Sequence, residues 1–293
     1  MTFVSCLLTT RFLLAKVQLD MVLHCVEFPP LMKRQLEHLP KSPSESYIKG
    51  LQRIKDADEI SMKAALHTLA WIYHAKRKLK IGELLDAVAW TTKTTDYKFE
   101  PIHLMDMCRG LAFHDKSSGI VQFIHGTVET FLEQCFNPER AMDTAVVKDD
   151  SHTSIIGDLR PHFLSNIDLA KACLTYLSLD IFDNPCPDMR SLKERVEKHK
   201  FSVYAAMHWA DHIRGVAETD RDVRDAIAKA FGPVGKRESM TQIETLLFFF
   251  PASIGRSLFH VLVQKRLPLI FMSPFSDDAS NINDRYVLRY LPS

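Results

Sequence analysis

Residues 111–132 read LAFHDKSSGIVQFIHGTVETFL. Two short extended runs, LAFHD and IVQFI, flank KSSG, whose Ser-Gly step suits a hairpin turn. After His125 a Gly-Thr step leads to Val128, Phe131, Leu132 and Cys135 at i, i+3, i+4 and i+7. That is the spacing of a helix with one buried face. His125 thus sits at a strand-to-helix corner. If the second strand runs on to it, Val121, Phe123 and His125 share a face. An imidazole so placed can be a base, a metal ligand, a contact to a bound group, or a wedge in the core.

The residues before this stretch show helical periodicity. EISMKAALHTLAWIYHAKR puts Met62, Ala65, Leu66, Leu69, Ile72 and Tyr73 on one face. ELLDAVAW turns Leu84, Leu85 and Val88 inward, and PIHLMDMCRG starts on Pro101, which suits a first helical turn. Three helices, a β-hairpin and a closing helix over residues 57–136 make the winged-helix arrangement. The order of the elements carries that expectation, and no single residue does.

Outside this block the chain reads as mainly α. Leu13, Leu14, Val17, Met21 and Val22 stripe a helix over roughly residues 10–26, with Arg11 and Lys16 interrupting its apolar run. It lacks a basic n-region, so an amphipathic helix is expected there rather than a signal peptide. Pro29-Pro30 and Pro40…Pro43 punctuate short helices before Tyr47, Leu51 and Ile54 begin another stripe. Residues 1–56 are therefore read as a helical tail of a preceding domain. Residues 137–166 lose periodicity and gain Asp, Ser, Thr and Pro, as a linker does. Residues 167–293 read as a helical array, with Leu169, Cys173, Tyr176 and Leu177 inward on one helix. Phe201, Tyr204, Ala205, His208 and Trp209 lie together on another.

Composition narrows the function. Hydrophobic residues make up 46% and charged residues 25%, with a net charge of +1. Such a balance gives no bulk field toward nucleic acid or an anionic membrane. Six scattered cysteines without a CxxC pair point to reduced, buried thiols and a cytoplasmic setting. No stretch is long and apolar enough to span a bilayer.

The chemistry-bearing motifs are few. His208 and His212 stand at i, i+4, a spacing that can ligate zinc, but Trp209 holds the position where a zincin has its Glu. No metal site is expected. The chain has no GxxxxGK[ST], no GxGxxG and no GxSxG, so no catalytic residues are assigned and no enzyme is expected. A DNA-reading winged helix would carry a basic third helix. Here that helix offers His103, Asp106 and Arg109, with Lys116 in the wing turn. DNA binding, or a helical adaptor role in protein–protein contact, stands as the alternative.

Several strings recur in a fixed order. Phe12–Ala15 (FLLA) precede Leu39-Pro40, Tyr47, Leu51 and Ile54. Leu69, Trp71, Ala75, Arg77, Leu79, Glu83, Leu84 and Ala87 fit an "L.W…A.RPL…EL..A" pattern, with Lys78 in place of its proline. Cys108, Gly110, Leu111, Val121, Phe123, His125, Phe131 and Leu132 fit "C.GL……V.F.H.S…FL", with Thr127 in place of the serine. ACLTYL, YAAMHWADH and SLFHVLVQKRL follow, the last like a degraded ankyrin helix. In this order they resemble the region after the nucleotide-binding core of fungal NACHT-type proteins, members of the STAND class of signalling NTPases. The 57–136 block resembles the GPI inositol-deacylase-type winged-helix family.

The resemblance implies a non-catalytic regulatory and scaffolding role. The winged helix would pack against a nucleotide-binding NACHT module and relay to C-terminal repeats, the chain itself being such a part or a truncated remnant of one. It implies that His125 senses a nucleotide phosphate, with that module as partner. ADP or ATP would then be a cofactor only through a module upstream of Met1. The partners expected are that module or another protein chain, with an oligomer in the full-length context, and neither nucleic acid nor membrane.

Overall fold

A computed structural model describes residues 42–96, 98–136, 150–214, 220–248 and 265. The helix expected at 10–26, the FLLA string and most of the ankyrin-like end lie outside the described residues. The chain divides between Ser165 and Asn166 into two compact units. Both are mainly helical, and the first holds one small three-stranded sheet.

The first unit opens with α1 (Pro43–Lys55). Ser42 caps it by accepting the Glu45 N–H at 3.1 Å, and Pro43 occupies the first turn, where its missing N–H costs nothing. Asp58 caps α2 (Glu59–His74) through the Ser61 N–H at 2.9 Å. Every residue from Ala64 to Trp71 is buried, so α2 is the central helix of the unit rather than a one-faced one. β1 (Leu79–Lys80) leads into α3 (Ile81–Thr92), and α4 (Pro101–Met107) precedes β2 (Ala112–Asp115), β3 (Ile120–Phe123) and α5 (Gly126–Phe136).

The sheet order is β1-β3-β2, all antiparallel, with Leu79 opposite Val121 and Ala112 opposite Phe123. β2 and β3 form a hairpin. Its turn is held by Asp115, which accepts from the Ser118 hydroxyl at 2.6 Å and the Ser117 hydroxyl at 2.7 Å. These hydroxyls hold the Asp115 carboxyl down at about 2. Gly119 closes the turn at φ 71°, a conformation that favours glycine. β1 goes beyond the sequence expectation. Two residues are too few to show alternation, and only their pairing with β3 makes them a strand.

The core of this unit joins three stretches that the sequence keeps apart. Tyr47, Ile48, Leu51 and Ile54 of α1 pack in one cluster with Ala65, Leu66 and Leu69 of α2 and with Val128, Phe131, Leu132 and Cys135 of α5. The same cluster takes in Ile155, Ile156 and Leu159. These belong to α6 (Asp150–Leu159), which lies inside the span read as a linker. Three apolar residues among Asp, Ser, Thr and Gly are too faint a stripe to stand out, yet they suffice to bury one face. Lys55 pairs with Asp158 at 2.5 Å, and Arg160 donates to the Cys135 carbonyl at 2.8 Å. α1 therefore packs against helices of the 57–136 block.

The second unit contains α7 (Asn166–Leu177), α8 (Met189–Lys198), α9 (Phe201–His208), α10 (Arg221–Phe231) and α11 (Val234–Phe248). Leu169, Cys173 and Leu177 of α7, Phe201 and Tyr204 of α9, Ile227 of α10 and Ile243 of α11 are fully buried. α8 buries only Leu192, so it shows almost no apolar stripe, and its start is fixed by Asp188 accepting the Ser191 N–H at 2.8 Å. Lys236 of α11 is 6% exposed. It donates to the carbonyls of Ser178 (2.6 Å) and Leu179 (3.0 Å) and pairs with Asp183 at 2.6 Å. A buried ammonium so surrounded is matched by acceptors on each side.

Candidate functional site

The corner that carries His125 is built by β3 and α5. Val121 is buried at the centre of the sheet, and the Ile124 N–H donates to the Leu111 carbonyl at 3.1 Å. The strand itself ends at Phe123, two residues short of the extension to residue 125, and the chain bends through Ile124 and His125. His125 therefore does not continue the Val121–Phe123 face. It stands just before α5, and its carbonyl accepts the Val128 N–H at 3.1 Å.

The half-buried imidazole is held locally. Its Nδ1 lies 2.9 Å from the Thr127 hydroxyl and 3.2 Å from the Thr127 N–H, which donates to it. The Thr127 hydroxyl also meets the Tyr47 phenol at 2.8 Å, across 80 residues of chain. Burial pushes the Tyr47 phenol up from its usual value, against the lowering effect of Thr127. The Tyr47 ring packs on Phe131, centroids 5.3 Å apart. A side chain on α1, one on α5 and His125 thus form one hydrogen-bonded line. Among the described residues, the side-chain bonds of His125 run to Thr127 alone. As a chemical unit the corner fixes an imidazole in place against the Thr127 hydroxyl.

The neighbouring motif of this unit is held by charge. Arg77 grips Glu83 with two bonds, 2.8 and 2.6 Å, while Glu83 also accepts the Lys80 N–H at 2.9 Å. This ties the β1 strand to the first turn of α3, and explains why the two residues occur at that spacing.

His208 and His212 each take their own hydrogen-bond partners. The helix tightens into a 3₁₀ turn over Trp209–His212, which breaks the i, i+4 geometry. His208 Nδ1 meets Asp211 at 3.0 Å. His212 is 3% exposed and lies between Asn166 (2.9 Å) and the Tyr204 hydroxyl (2.9 Å). Among the described residues no group of three His, Cys, Asp or Glu could hold a metal ion.

On α4, Leu104 is buried while Ile102, His103 and Asp106 face outward, and the helix contains neither Arg nor Lys. Arg109 follows it at φ 49° and is exposed, as is Lys116 in the hairpin turn. Cys108, Cys135, Cys173 and Cys186 are free and buried. Burial pushes the Cys108 and Cys135 thiols up to about 12, far from any reactive thiolate range. Among the described residues no helix is long and apolar enough to cross a membrane.

The line from His125 through Thr127 to Tyr47 is not legible in the sequence. Thr127 stood out only as a departure from a serine, and Tyr47 only as part of a stripe. Nothing in the local pattern links residues 80 positions apart. Comparison with protein-family models, with curated proteins and with solved structures gives no match.

Proposed function

We propose that this chain is the non-catalytic regulatory and scaffolding part of a STAND (NACHT-type) signalling protein, acting in the cytoplasm. Residues 57–136 would be its winged helix, packing against a nucleotide-binding module and relaying to C-terminal repeats. The observation that carries this reading is the order α2, β1, α3, α4, β2, β3, with β3 central in the sheet and His125 at the exit into α5. In such a switch His125 donates a hydrogen bond to a phosphate oxygen of the nucleotide in the closed state. The charge-assisted bond favours that state by differential binding and not by catalysis. The phosphate cradle is supplied by the module, since this sequence has no Gly-rich phosphate loop.

The outward residues of α4 favour a protein surface over DNA as its partner. Ile102 is 65% exposed, Asp106 is acidic, and the helix has no cation to aim at a base or phosphate. Isothermal titration calorimetry with ADP, together with an ATPase assay, tests the proposal on the purified chain. We expect no binding heat and no hydrolysis. Micromolar ADP binding by this chain alone would contradict it.

A further inference from the structure

We infer that Thr127 and Tyr47 act as positioning residues that lock His125 in the tautomer with its proton on Nε2, so that this corner presents a hydrogen-bond donor to an anionic oxygen. The argument starts from the one donor in the group whose direction is fixed. The Thr127 backbone N–H, 3.2 Å from Nδ1, can only donate. A neutral imidazole that receives it must carry a lone pair on Nδ1 and its proton on Nε2.

The hydroxyls accommodate this choice. The Thr127 hydroxyl has one proton and two acceptor sites, and it touches both Nδ1 (2.9 Å) and the Tyr47 phenol (2.8 Å). With Nδ1 as acceptor, the Thr127 proton points to the imidazole and the Tyr47 proton points to Thr127 Oγ1. Each donor in the line then has one acceptor. The opposite arrangement would aim an Nδ1–H at the Thr127 N–H, two donors head to head. Burial, which pushes the Tyr47 phenol up, keeps that phenol protonated and able to donate at neutral pH.

The consequence is chemical. An Nε2–H donor suits a phosphate or carboxylate oxygen. It does not suit a metal ion, which needs the lone pair that the lock places on the inner nitrogen. α1 also gains a role, because the line begins on its Tyr47. A movement of α1 that withdraws the phenol frees the Thr127 hydroxyl to rotate and weakens the lock. The lock rests on distances within this chain; its use by a nucleotide phosphate rests on the function proposed above.

Long-range proton–nitrogen NMR of the ligand-free chain reads the tautomer directly, with the His125 signal assigned by its loss in His125→Gln. The wild-type protein should show Nε2 protonated and Nδ1 bare as the dominant form. Thr127→Ser should keep that form, Tyr47→Phe should lose part of it, and Thr127→Val should lose more. A wild-type protein with its proton mainly on Nδ1 overturns the lock, as does an unchanged ratio in both Tyr47→Phe and Thr127→Val. If Thr127→Val fails to fold, the wild-type and Thr127→Ser spectra still decide. Because no nucleotide is present, a failure here leaves the calorimetric test of the proposed function standing by itself.

Discussion

The phenol of Tyr47 lies 2.8 Å from the hydroxyl of Thr127, a bond that joins the first described helix to the helix after the hairpin. It links the His125 corner to a residue 80 positions away, and its contribution to stability is measurable. Tyr47→Phe removes one member and should cost about 1 kcal/mol, the usual net worth of an internal hydrogen bond. Thr127→Val should cost about 1–3 kcal/mol, because it leaves the Tyr47 hydroxyl without this bond. Thr127→Ser should be nearly neutral. Urea unfolding of the single variants and of the Tyr47→Phe/Thr127→Val double variant should return a coupling of roughly 0.5 kcal/mol or more. Strict additivity would show that the two hydroxyls do not interact.

Two glycine substitutions should act in opposite directions. A Cβ on Gly235 would overlap the Asp183 carbonyl oxygen, a backbone neighbour that cannot swing away. Gly235→Ala should therefore destabilise by about 2 kcal/mol or more, in line with overpacking. Nothing lies within 4 Å of a Cβ on Gly157 in α6. Gly157→Ala should stabilise by about 0.5–1 kcal/mol through helix propensity. Thermal unfolding by circular dichroism compares them, and a stabilising Gly235→Ala would refute the close approach of Asp183 to α11.

Alkaline pH should weaken the first unit. The Cys108 and Cys135 thiols ionise near 9.0 ordinarily and are pushed up to about 12 by burial. Between these values the unfolded chain has released protons that the folded chain still holds. Unfolding is then favoured as pH rises, while below about pH 8 these groups contribute no slope. The raised Tyr47 phenol adds a loss of the same sign. Denaturant midpoints from pH 7 to 11 should fall above pH 9, and Cys108→Ala should flatten part of the fall.

The ion pair of Arg77 and Glu83 should matter more than an exposed one. The Glu83 side chain is 9% exposed and that of Arg77 35%, and Glu83 also holds the Lys80 N–H. Glu83→Ala should cost about 1–3 kcal/mol, the range for losing hydrogen bonds to a charged group. Lys63→Ala, whose partner Glu59 is 73% exposed, should cost less than about 0.5 kcal/mol. Equal effects would mean that burial of Glu83 adds nothing.

Much of the fold was legible because helices write their buried face at fixed spacing. Leu66 and Leu69, Val128 and Leu132, and Leu169 and Cys173 were all placed inward from the pattern, and all are fully buried. What escaped depends on contacts between distant residues. β1 exists only as a partner of β3, and α6 is recognisable only by the core that it joins. Leu85 was placed inward yet is half-buried, while Ala87 fills the interior in its stead. The helix tightens into a 3₁₀ turn at Trp209, and His208 and His212 take different hydrogen-bond partners, which no spacing rule anticipates. At the His125 corner the strand-to-helix change was readable. The Thr127–Tyr47 line was not, because hydroxyl partners leave no periodic trace.

Under the proposed function, His125 meets a nucleotide phosphate only when a nucleotide-binding module supplies the phosphate cradle. Isothermal titration calorimetry of the purified chain with ADP tests this most directly. No binding heat is the predicted result. Micromolar ADP binding by this chain alone would contradict it.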